Sequence, residues 1–368
     1  MTQMLDWVKA NQPVRFVDYM QQALYAPQGG YYTASTPKLG RQGDFITAPE
    51  LTPLFGHTLA NQCLQILTNL KQASILEFGA GTGRLCVDVL TALERDDALP
   101  ANYYILEVSG SLKAKQQQTI QQALPHLIER VHWLSAWPET FTGVMLANEV
   151  IDAMPVHRFK YDQECLWESY IGVDEQGDLQ ETWQKMDNGK LRHYIEHVIL
   201  PLNLPQPYYS EVNWLAKGWI NQIGSCLNQG ALIAIDYGFP RHEYYHPDRK
   251  TGTLMCHHQH HTHPDFLHKP GEQDITAHVD FTLIAESAYE SGMHVAGFTN
   301  QAAFLMNNGL LSLNNSANDE TALIQQSKAI NYLTHPAEMG ELFKVMALTK
   351  GMDISLTGFT LFDKRASL

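Results

Sequence analysis

The stretch Glu77-Phe78-Gly79-Ala80-Gly81-Thr82-Gly83 has the residue types that hold a small charged ligand. Three alternating glycines let a chain turn sharply and bring its backbone close to a ligand. Ile75 and Leu76 in front of them read as part of a short strand, and Leu85 to Leu93 behind them as a helix. The N-terminus of that helix offers free N–H groups. The spacing is GxGxG rather than the GxGxxG of dinucleotide turns, and an acid, Glu77, precedes the first glycine. A sulfonium cofactor has no pyrophosphate to cradle and carries a cationic amino group, so a carboxylate at this turn suits S-adenosylmethionine (AdoMet). Glu107 ends the next strand, where an acid can accept hydrogen bonds from two ribose hydroxyls.

A second constellation follows the apolar run Val144 to Ala147, in Asn148-Glu149-Val150-Ile151-Asp152-Ala153-Met154-Pro155. Ligands of open α/β sheets lie beyond the C-terminal ends of the strands. Asn148, Glu149 and Asp152 therefore fall where a methyl acceptor should lie. Two carboxylates can hold a guanidinium through bidentate hydrogen bonds; on the other reading Asp152 caps a helix and Glu149 faces solvent. Asp236-Tyr237-Gly238, after the strand Ala231 to Ile235, either points into the same cleft or only makes a turn. His257, His258, His260, His261, His263 and His268 lie near Cys256. Imidazoles bind transition metals, but this spacing follows no metal pattern and no paired Cys motif accompanies it. A polar surface loop without a metal is the expectation.

These residues need a scaffold that brings strand ends together. From Ser74 onward strand and helix alternate: strands at Ser74–Phe78, Tyr103–Glu107, Val131–Leu134 and Val144–Ala147, helices at Leu85–Leu93 and Leu112–Leu124. Such alternation implies parallel strands with helical crossovers. Val295–Phe298 and Phe343–Leu348 would complete the sheet, with helices at Trp214–Cys226 and Val279–Ser291. The Gln-rich run Gln116 to Gln122 reads as the polar face of its helix. Residues 1–72 form an N-terminal helical and loop extension, with a helix at Phe16–Leu24, loop from Ala26 to Pro49, and a second helix opening at Thr52-Pro53, a cap residue followed by a first-turn proline. The remainder, 73–368, is the α/β domain, with insertions at about 157–209 and 239–278. The first insertion holds an expected hairpin, Phe159 to Trp183, turning at Asp174 to Asp178; the second is irregular from Pro240 to Gly271.

Composition excludes several classes. Thirty-nine acids against 25 Lys plus Arg give a net charge of −14, which argues against nucleic acid as the main ligand, since phosphate binding needs a basic face. Five scattered cysteines without a CxxC pair do not make a disulfide framework. The first ten residues lack a signal-peptide pattern, and no apolar run is long enough for a bilayer. A cytoplasmic protein without membrane insertion is expected.

Taken in order, Tyr31-Tyr32, Gly43-Asp44-Phe45-Ile46-Thr47-Ala48-Pro49-Glu50, Phe55-Gly56, the Glu77–Gly83 turn, Asn148-Glu149 with Asp152-Ala153-Met154-Pro155, Asp236-Tyr237-Gly238, and Pro270-Gly271 with Asp274 to Phe281 resemble the MidA-like family. That family includes a mitochondrial arginine methyltransferase that assists assembly of respiratory complex I, and the likeness spans nearly the whole chain. The resemblance implies a seven-stranded class I (Rossmann-like) methyltransferase sheet, AdoMet as cofactor, and a protein substrate with an arginine acceptor, in the mitochondrial members a complex I subunit. An AdoMet-binding assembly factor without transferase activity and a small-molecule methyltransferase are the alternatives. The Gly43–Glu50 loop is expected to close over cofactor or acceptor, which places Thr47 and Pro49 among the cofactor residues beside Glu77, Gly79, Gly81, Gly83 and Glu107. The histidines around His257 depart from the family pattern.

Overall fold

A computed structural model of the chain describes residues 2–34, 47–259, 261–313 and 320–368. Residues 43–46, the first half of the Gly43–Glu50 loop whose expected role was closure, lie outside the described residues. The chain forms two compact units: Met1–Phe45, Ile151–Trp219 and Phe239–Thr282 make the first, and Ile46–Val150, Ile220–Gly238 and Leu283–Leu368 the second. This differs from the expected boundary at residue 72. The helix Pro53–Leu67 belongs to the second unit because Leu54, Phe55, Leu59, Cys63 and Ile66 share one buried core with Ile75, Val89, Leu93 and Ile105. Its start follows the capping rule: the Thr52 hydroxyl accepts from the Leu54 N–H at 3.3 Å, with Pro53 in the first turn.

The second unit is built on a sheet of strands β1 (Ser74–Phe78), β2 (Tyr103–Leu106), β3 (Val131–Leu134), β4 (Phe141–Asn148), β5 (Leu227–Phe239), β6 (His294–Asn300) and β7 (Phe343–Lys350). They lie in the order β3-β2-β1-β4-β5-β7-β6. Pairings from β3 through β5 are parallel, and β7 runs antiparallel to both its neighbours. Every residue of β1 is buried, as expected for a central parallel strand covered on both faces. The order reverses between β1 and β4, which is the topological switch point where open α/β sheets bind ligands. Phe78 pairs with both Leu106 and Ala147, so β1, β2 and β4 end at one level.

The first unit holds an antiparallel sheet of Val14–Arg15, Cys165–Val173, His157–Asp162 and Tyr208–Val212, with Leu179–Lys185 also paired to Cys165–Val173. The expected hairpin is present, its turn held by Asp174 Oδ1, which accepts from the N–H groups of Gln176 and Asp178 at 2.9 Å each. The region is richer than that hairpin: Gln163 and Glu164, both at positive φ, turn a further strand in front of it. The insertions therefore pack with the N-terminal segment into one unit with its own core, including Phe16, Tyr19, Leu24, Val156, Ile171 and Ile275. The expected Val279–Ser291 helix begins at Phe281, after the two-residue strand Val279–Asp280. Among the described residues no helix is long and apolar enough to cross a membrane.

Candidate cofactor and acceptor site

The glycine turn follows β1 directly. Gly79, Gly81 and Gly83 have φ of +59°, +53° and +86°, a region an L side chain enters only under strain. Gly83 caps the helix Arg84–Arg95, and its N–H donates to the Ala80 carbonyl at 2.7 Å. A Cβ on Gly83 would lie 3.1 Å from the Cα of Gln116, so the turn rests on the helix Gly110–Ala123. The Thr82 hydroxyl donates to the Glu50 carboxylate. Glu50 of the Gly43–Glu50 motif thus touches the turn; Thr47 precedes the short helix Ala48–Leu51 as its cap, and Pro49 is buried in it.

Glu77 is 3% exposed, and the Tyr103 hydroxyl donates to its Oε2 at 2.7 Å. Burial pushes its carboxyl up to about 7; the Tyr103 hydrogen bond opposes this, and the nearby Glu107 charge adds to it. Glu107 accepts from the Ser109 N–H through Oε1 and from the Gln116 side-chain amide through Oε2, both at 2.8 Å. Burial raises its carboxyl above the ordinary range, against the Ser109, Gln116 and Val108 donors.

Gln116 corrects the reading of its helix. Gln117, Gln118, Gln121 and Gln122 are exposed, but Gln116 is fully buried. Its amide also donates to the Gly81 carbonyl at 3.0 Å, and its Oε1 accepts from the Trp133 indole at 2.9 Å. The spacing could have revealed it. Leu112, Gln116, Ile120 and Leu124 recur every four residues, which puts Gln116 on the apolar stripe.

At the end of β4, Glu149 sits at φ +53°, rare for a residue with a side chain, and its N–H donates to the Ile235 carbonyl at 2.9 Å. Asn148 Nδ2 donates to Glu149 Oε1 at 3.1 Å. Asn148 Oδ1 is buried, and no hydrogen bond reaches it among the described residues. Val150 Cγ2 lies 3.5 Å from where a Cβ on Gly79 would stand, so this strand end adjoins the glycine turn. Asp236, 1% exposed, lies within β5 and accepts from the Val150 N–H at 3.2 Å and the Tyr237 N–H at 3.0 Å, which straps the β4 end to β5.

After Val150 the chain enters the first unit. Asp152 is buried there in a turn, so it caps no helix. Its carbonyl accepts from the Ala277 N–H at 3.0 Å, while the Tyr25 hydroxyl donates to the Ala153 carbonyl at 2.9 Å. The Tyr32 hydroxyl donates to Asp274 at 3.0 Å, and the Asp152 charge is among those that raise the Tyr32 hydroxyl, after burial and the charges of Asp274 and Tyr25. In the His-rich segment, expected to be irregular, Met255–His258 and His261–His263 pair as strands. Among the described residues no three His, Cys, Asp or Glu side chains are grouped to hold a metal.

A family model described as S-adenosyl-L-methionine-dependent methyltransferase matches residues 58–299. The chain belongs to this family. A solved structure from Burkholderia thailandensis, bound to S-adenosyl-homocysteine, is 37% identical, with a TM-score of 0.95 over 100% of this chain and 97% of that one. The Drosophila melanogaster protein arginine methyltransferase NDUFAF7 homolog, mitochondrial, is 30% identical over 92% of this chain and 82% of its own length. The human protein arginine methyltransferase NDUFAF7, mitochondrial, is 27% identical over 93% and 81%.

The residues at the switch point fit the family's cofactor. The turn exposes Gly79 and half-exposes Gly81, so backbone can approach a ligand there. Glu107 keeps lone pairs for a ribose diol beyond its two hydrogen bonds, since each carboxylate oxygen can accept more than one. Glu77 is the acid available for a cationic amino group.

Proposed function

We propose that this methyltransferase transfers methyl groups from AdoMet to a guanidinium nitrogen of an arginine in a protein substrate. The observation that carries the reading is the pair of acceptors at the end of β4, Glu149 and Asn148 Oδ1, beside the glycine turn. The names of the full-length relatives support it. AdoMet supplies an electrophilic methyl group on a sulfonium. On this reading Gly79, Gly81 and Gly83 give it close backbone contact, Glu107 holds the ribose hydroxyls, and Glu77 faces the cationic amino group.

The remaining chemistry belongs to the acceptor residues. An arginine side chain is protonated at neutral pH, with a pKa above about 12, and a cation is a poor nucleophile. Glu149 accepts from two N–H groups of the guanidinium and Asn148 Oδ1 from a third, so one nitrogen faces the methyl group. Methyl transfer is an in-line displacement, and placement alone can contribute several kcal/mol. As the new N–C bond forms, the nitrogen's acidity rises, and on this reading the Glu149 carboxylate takes the proton late in the step. A respiratory complex I subunit is the first substrate to try.

Glu149→Gln tests the assignment, because it keeps size and removes charge. Losing one member of a charged hydrogen-bonded pair typically costs about 2–5 kcal/mol. That corresponds to a roughly 30-fold to several-thousand-fold lower rate of methyl transfer, with AdoMet affinity unchanged. A variant that methylates an arginine substrate at the parental rate would show that the acceptor is held elsewhere.

A further inference from the structure

Both oxygens of Glu107 are fixed by this chain's own donors, and one of those donors is itself locked. The Trp133 indole nitrogen can only donate a hydrogen bond. Its 2.9 Å contact therefore requires the oxygen of the Gln116 amide on that side, and the amide's NH2 must face the opposite way. There the two hydrogens meet two acceptors, Glu107 Oε2 at 2.8 Å and the Gly81 carbonyl at 3.0 Å. The amide has a donor or acceptor partner on both its atoms, is fully buried, and has its backbone against Gly83. A leucine or methionine would fill this apolar stripe as well, so packing gives no reason for a buried amide at this place.

We propose that Gln116, oriented by Trp133, is a positioning residue that holds the Glu107 carboxylate in register with the glycine turn for binding of the cofactor's ribose. The inference rests on the AdoMet reading of the site. One side chain ties the strand-end acid of β2 to the middle of the turn after β1, so the two groups that would meet the nucleoside cannot drift apart. Trp133, in β3, contributes the direction of the amide, and through it the rotamer of Glu107. A second consequence concerns protonation. The Gln116 donor is one of the groups opposing the rise that burial imposes on Glu107, and a ribose diol needs the ionised carboxylate as acceptor.

The test is calorimetric titration of the whole protein with AdoMet and with S-adenosyl-homocysteine, from about pH 5 to about pH 9, for the parent, Gln116→Met, Trp133→Phe and the double variant. Gln116→Met should weaken binding by about 10- to 100-fold, as expected for a lost hydrogen bond to a charged group. It should also move the pH midpoint of binding upward, because Glu107 then protonates at higher pH. Trp133→Phe should show a smaller loss in the same direction, and the double variant should be no worse than Gln116→Met, since the indole acts only through the amide. A purely structural role would lower the melting temperature and leave the pH midpoint in place. Parental affinity and an unmoved midpoint in Gln116→Met would overturn the proposal; if that variant does not fold, an unmoved midpoint in Trp133→Phe overturns it. A parent that binds neither ligand would instead bring down the AdoMet reading itself.

Discussion

Glu77→Gln should make the protein more stable and less able to bind its cofactor. Burial and the neighbouring Glu107 raise the Glu77 carboxyl from 4.5 to about 7. That rise corresponds to roughly 3 kcal/mol against the ionised form in the folded chain. Between those two pH values the folded protein holds a proton that the unfolded chain has released. Its stability therefore falls as pH rises through the window, and the full cost is present above about pH 7. Glutamine stands in for the protonated acid and can still accept from Tyr103. Thermal melting of the ligand-free protein should show the variant level with the parent near pH 4.5 and more stable at about pH 8, by up to about 3 kcal/mol. Calorimetry should show weaker AdoMet binding at the same pH, because the neutral amide no longer faces a cationic amino group. Stability gained at the expense of function is the usual result of relaxing a strained site. A variant no more stable than the parent at pH 8 would refute the burial argument, and unchanged affinity would refute the role in cofactor binding.

Glu149→Gly should relieve the left-handed backbone at that residue, worth about 1 kcal/mol, and raise the melting temperature by a few degrees while methyl transfer is lost; a lower melting temperature would contradict the strain. Thr82→Val removes the donor to Glu50 and should weaken AdoMet binding by about tenfold or more, read by calorimetry; parental affinity would leave Glu50 without a part in the site. A chelator should leave melting unchanged, since a structural metal would contribute folding energy directly; one tightly held metal per chain with EDTA-sensitive melting would reverse that expectation for the histidine segment.

The sheet was legible because its strands are short, apolar and separated by amphipathic helices. Ser74–Phe78 and Val131–Leu134 match the expected bounds, and Trp214–Cys226 is a helix as its periodicity implied. The glycine turn was legible for a related reason: glycine at three alternate positions has few uses besides positive φ. The division into units was not legible. Whether an insertion packs on the main sheet or with the N-terminal segment depends on long-range contacts that no local pattern encodes. The helix Pro53–Leu67 has the same apolar face whichever unit it covers. Within the site, Gln116 was hidden by its polar neighbours, which made one buried amide look like part of a solvated face. Glu50 was legible only as a member of a motif, because its contact with Thr82 spans residues far apart in sequence. The left-handed conformation of Glu149 had no signal at all, since glutamate is not a residue that announces positive φ.

The central claim, methyl transfer to a protein arginine, is tested most directly by mass spectrometry of a cell lysate incubated with the protein and isotope-labelled AdoMet. Labelled methyl groups are expected on arginine residues of one or a few proteins, present with the parent and absent with Glu149→Gln. Label confined to small molecules, to other side chains, or to no product at all would contradict the claim.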